Sequence, residues 1–156
     1  MKIHKIIKAV LFAAFYILML VIIPNVGLKY VFQLVPEEIL QYIEEIINLQ
    51  GIVMSISIIG MILAILTFSS NMVEDWSLVK PFSSIASAFV WFYLFLFLMG
   101  LGDPSRMGII QLSVEIVTVV WDFRFFVILE LLLLGISILS AIIRFYFARK
   151  EHLASH

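Results

Sequence analysis

Long apolar runs separated by short polar stretches set the plan of this chain. Four runs, at about 6–28, 51–70, 81–101 and 125–147, carry almost no charge. A helix needs roughly 17 to 25 residues to cross a hydrocarbon core about 30 Å thick, and each run meets that length. The pattern predicts an all-α integral membrane protein: one membrane domain over residues 1–156 with four transmembrane helices. The N-terminus has the basic-then-apolar look of a leader peptide. Its apolar run is longer than a leader requires and no small-x-small cleavage site follows, so it is expected to stay as the first span.

The connectors between spans carry their own periodicity. In VPEEILQYIEEIINLQ, over about 36–50, Ile39, Leu40, Ile43, Ile46 and Ile47 recur at helical spacing, while Gln41, Glu44, Glu45 and Asn48 hold the other face. Pro36 suits a first turn, where Glu37 and Glu38 complement the helix dipole. The second connector, over about 104–122, offers Asp103 as a cap, Pro104 as a start, and a polar stripe of Gln111, Glu115, Thr118 and Asp122. Its many β-branched residues make a strand the competing reading. An unpaired strand beside lipid would leave backbone groups unsatisfied, so an amphipathic helix is expected here too. A fifth span over 109–121 would be too short at thirteen residues. Span, amphipathic helix and span therefore occur twice, a possible twofold internal repeat of architecture rather than of residues.

Charge orients this plan. Lys2, Lys5, Lys8, Lys80, Arg144, Arg149 and Lys150 fall on one side, against Lys29, Arg106 and Arg124 on the other. Basic residues are retained on the cytoplasmic side, so both termini are expected there, in the cytoplasmic membrane of a prokaryote. The two connectors then lie on the outer face. That face collects Glu37, Glu38, Glu44, Glu45, Glu115 and Asp122, which could attract cations but are more simply a solvated surface.

Composition narrows the function classes. The chain is 63% hydrophobic and 13% charged, against roughly 45–50% and 25% in soluble domains. Its net charge of −1 offers no field for nucleic acid. There is no cysteine, hence no disulfide and no thiolate chemistry. No nucleotide loop, HExxH or GxSxG motif occurs. His4, His152 and His156 lie near the ends without metal-ligand spacing, so no metal, cofactor or enzymatic activity is expected.

Two stripes within the spans point to protein contacts. Ser57, Gly60, Ala64, Thr67 and Asn71 recur at three, four, three and four along the second span, a seam that lets another helix approach closely. Ile59, on a different face, is expected to matter less. Ala9 and Ala13 in the first span, and Ser84, Ser87 and Ala88 in the third, have similar spacing, and Trp91 reads as core packing. In the fourth span Glu130, Ser137 and Arg144 are seven apart, which keeps them on one helix face. That face should be buried against protein. Arg124 is badly placed to pair with Glu130 along the helix; Arg106 or Lys29 could serve instead. The reading that follows is a noncatalytic multi-pass subunit packed within a larger membrane assembly, among lipid and other membrane subunits or copies of itself. The alternative is a homo-oligomeric cation or proton channel or transporter that uses Glu130.

Overall fold

The computed structural model describes residues 3–114 and 117–154, with the side chains of residues 45, 46, 112–114 and 117 left aside. Helix dominates. Among the described residues, four helices are long and apolar enough to cross a membrane: Ile3–Leu34, Leu49–Met72, Val79–Met99 and Arg124–Ala154.

The first of these is not uniform. Helix α1 (Ile3–Ile17) passes through a single π-helical turn (Leu18–Ile22) into α2 (Ile23–Leu34). Pro24 explains the wide turn, because it has no N–H to return to the carbonyl four residues back. The Ile23 N–H reaches Leu18 O instead. Asn25 Nδ2 donates to Val21 O at 2.7 Å and to Ser57 Oγ at 2.7 Å, so a side chain supplies part of the lost backbone pairing.

Helix α3 (Glu37–Ile46) follows Pro36, with Glu37 and Glu38 in its first turn. Helix α4 (Leu49–Met72) begins after Asn48, whose Oδ1 accepts from the Gly51 N–H at 2.7 Å. A short loop leads to α5 (Val79–Met99), and α6 (Arg124–Ala154) closes the described chain. Helix α4 is central, with α1 against one side and α5 against another; α6 packs on α5. The small core consists of Ile59, Leu63 and Leu94, with Tyr16, Leu20, Ile56 and Val90 against it. Ile59 is thus a core residue, contrary to the lesser role its position suggested. It belongs to the cluster with Leu63 and Leu94, while the neighbouring Gly60 meets Leu20 and Val21 of the π-helical turn.

The second connector corrects two expectations. It is not an amphipathic helix, and the chain is not all-α: β1 (Ile109–Val114) and β2 (Val117–Asp122) form an antiparallel pair, registered from Ile109 with Asp122 to Val114 with Val117. Asp103 and Pro104 do start a helix, but it is one 3-10 turn, Pro104–Arg106. Met107 and Gly108 then take positive φ values of 46° and 83°, which turns the chain out of helical geometry. Eight of the fourteen residues from Ile109 to Asp122 are β-branched, favouring the extended form. The two strands pair the backbone groups on their facing edges, so the objection to a lone strand holds only for their outer edges. The Phe123 N–H donates to Gly108 O at 2.7 Å and closes the base of the hairpin. With a helix in one connector and a hairpin in the other, the two halves do not share the repeated plan.

Candidate functional site

The order of packing sets α1 on α4 and α6 on α5, and α1, α5 and α6 line an open cleft of about 1140 Å³. Helix α1 contributes Lys8 and Tyr16; α5 contributes Lys80, Ser84, Ser87 and Trp91; α6 contributes Glu130, Ser137, Ser140 and Arg144. Asp75 and Glu151 stand at the same end as Lys8, Lys80 and Arg144. Charges therefore gather near one mouth, hydroxyls line the middle, and Glu130 sits toward the other end.

Glu130, Ser137 and Arg144 all line this cleft. The helix repeat puts them on one face, which the described residues of this chain leave open: Ser137 and Arg144 are exposed and Glu130 is half-buried. Glu130 is six residues into α6, about 9 Å along the axis. Among the described residues it has no hydrogen-bond or ion-pair partner. The cations that could have served are engaged elsewhere: Arg124 Nη2 is 2.6 Å from Asp122 Oδ2, and Arg106 Nε is 3.4 Å from Asp103 Oδ2. Lys29 does not line the cleft.

Several residues of the cleft were not legible as a group. Trp91 is 40% exposed, and its indole N–H donates to the Tyr16 hydroxyl at 3.2 Å across 75 positions of sequence. The three-four spacing of Ser84, Ser87 and Trp91 marks one polar stripe on α5. Which helix this stripe confronts depends on packing order, which no periodicity records.

The seam residues on α4 do not line the cleft. A Cβ at Gly60 would come within 2.5 Å of Leu20 Cβ, so the bare backbone admits the π-helical turn of the first span. Ser57 receives the hydrogen bond from Asn25 and itself donates to Val53 O at 2.8 Å. Ala64 is buried. Thr67 and Asn71 are half-buried, and Asn71 Nδ2 donates to Thr67 O within the same helix at 2.8 Å. Ala9 on α1 is wholly buried, while Ser70 and Ser84 join α4 to α5 through their hydroxyls at 3.2 Å.

The acids of the two connectors make local contacts. Glu37 and Glu38 occupy the first turn of α3, and Glu44 Oε1 accepts from the Gln50 N–H at 3.3 Å. Glu115 lies outside the described residues, as does the side chain of Glu45. Asp122 accepts from the Arg124 N–H at 3.0 Å and from its guanidinium, which lowers its pKa to about 2. Among the described residues, no group of three His, Asp or Glu side chains is arranged to hold a metal ion. At the opposite end, Lys5 Nζ pairs with Glu74 Oε2 at 2.7 Å, and the Trp76 and His152 rings stack at 4.3 Å. The Lys5 hydrogen bond and charge hold the Glu74 carboxyl below its usual range. Comparison with protein families, curated proteins and solved structures returns no match for this chain.

Proposed function

We propose that the protein is a noncatalytic multi-pass subunit of a larger membrane assembly. The observation that carries this reading is the uncovered polar face of α6: Glu130, Ser137 and Arg144 line an open cleft within a helix long enough to span the bilayer. A carboxylate facing hydrocarbon costs about 3 kcal/mol even on permissive insertion scales. Hydroxyls there also favour helix partners over lipid. A second protein surface across the cleft would satisfy both. The cytoplasmic placement of the termini belongs to the same proposal, supported by the gathering of Lys5, Lys8, Lys80, Arg144, Arg149 and Lys150 toward one end. On the outer face, α3 then lies along the interface with Ile39, Leu40 and Ile43 toward lipid.

A photocrosslinking residue in place of Ser137, in membranes before detergent is added, tests the subunit reading. The expected product is a discrete protein adduct. Adducts to lipid alone would defeat it. One feature favours the channel as second reading: Ser137, Ser140, Ser84 and Ser87 continue the polar lining from Glu130 toward the charged mouth. Cation or proton flux from purified protein in proteoliposomes, abolished by Glu130→Gln with the assembly intact, would make that reading the better one.

A further inference from the structure

We propose that Glu130 is paired by Lys29 of a second copy of this chain, so that α2 of one protomer covers the α6 side of its neighbour's cleft. This rests on the subunit reading and names the partner.

Elimination gives the first argument. Three cations lie in the outer half: Lys29, Arg106 and Arg124. Arg106 and Arg124 have aspartate partners within the chain, whereas Lys29 is exposed on α2 with no carboxylate partner among the described residues. Glu130 is the acid within a span that lacks a cation. One acid within a span and one cation just past the end of another are therefore left unmatched, and the acid is costly if left facing lipid.

Depth gives the second. Copies in one membrane share a single orientation, so two residues can meet between copies only if they lie at the same level. Both long helices are referenced to the loop before α5, one through Lys5 and Glu74, the other through Trp76 and His152. From Lys5 to Lys29 the helical rise is about 36 Å, and from His152 to Glu130 it is about 33 Å. Lys29 and Glu130 thus stand within about one helical turn of the same level.

The arrangement of faces gives the third. A twofold pairing of α6 with α6 would set Glu130 against Glu130 and Arg144 against Arg144, because the axis preserves depth. Like charges at one level oppose that contact. Lys29 lies outside the cleft that Glu130 lines, so the complementary charges sit on different surfaces of one chain. Such a contact is head-to-tail and generates a ring when its rotation closes. Both surfaces are available, since the first and fourth spans are the least buried inside the chain.

The chain has no cysteine, which makes a paired-cysteine test clean. Two differently tagged full-length copies would be coexpressed, one carrying Lys29→Cys and the other Glu130→Cys, and treated in membranes with a short bifunctional thiol crosslinker. The expected product joins the two tags. In parallel, Lys29→Glu and Glu130→Lys should each lower the oligomer fraction by about tenfold in mild detergent, and the double exchange should restore it. Crosslinking of Glu130→Cys to itself, without any product to Lys29→Cys, would overturn the pairing. Copurification of a foreign chain with no self-contact would also overturn it while leaving the subunit reading standing. A lone monomer with no adduct at Ser137 would overturn both. If the charge variants fail to fold, the cysteine pair still decides.

Discussion

Gly60 shows what one missing side chain does in this fold. Pro24 widens the first span into a π-helical turn, and Leu20 of that turn occupies the space where a Cβ at Gly60 would stand, at 2.5 Å. Gly60→Ala should force the two helices apart or strain Leu20, for a loss of about 1–3 kcal/mol. Gly60→Leu should be worse. Ile65→Ala, at a position 63% exposed on the same helix, should change stability little in detergent. Thermal unfolding of the three variants checks this, and equal tolerance would mean that the seam does not hold the first span. The small-residue stripe was legible because three-four spacing is a property of one helix. Ile59 was misjudged because α4 is buried on two sides, and a single favoured face is all that one stripe can indicate.

At the level of elements, the apolar runs located the spans because hydrocarbon thickness imposes a length. Three of the four overrun these limits at both ends, α6 reaching Ala154, since helical hydrogen bonding continues after the apolar stretch ends, whereas α5 stops at Met99. The hairpin escapes an argument about one unpaired strand, because the connector folds back into two strands that pair along their facing edges. Gly108 and the β-branched run were the available signals. The junction of β2 with α6 has a testable electrostatic part. Asp122 is shifted down to about 2 from the ordinary 3.8 by the Arg124 side-chain and backbone hydrogen bonds. A depressed folded value means that its contribution is complete above the ordinary value and is lost as pH falls through the folded one. Asp122→Asn keeps an oxygen to cap α6 but removes the charge. The difference in Tm between wild type and Asp122→Asn should therefore shrink as the pH is lowered from about 4 to about 2. A difference that stays constant over that window would show that the ion pair contributes nothing beyond the cap.

For the whole molecule, the cleft follows from helix order, which sequence periodicity does not encode. Tyr16, Ser87 and Glu130 come from three helices and meet one space only because α6 packs on α5 and leaves α1 across a gap. The same order puts the loop before α5 beside both ends of the chain, through Lys5 with Glu74 and Trp76 with His152. Helix α3 and the hairpin then occupy the other end, each being the connector between two antiparallel spans. With basic residues drawn to the cytoplasmic side, this geometry makes a definite claim about exposure. Single cysteines at Glu38 and Arg106 should react in intact cells with an impermeant thiol reagent, whereas one at Leu78 should react only after the membrane is opened. Labelling of Leu78→Cys from outside, with protection of the other two, would reverse the orientation but leave Lys29 and Glu130 level with each other. Labelling of all three from outside would break the four-span order itself. The cleft and the pairing across it would then fall together, because both depend on α1 and α6 running the full thickness of the same bilayer.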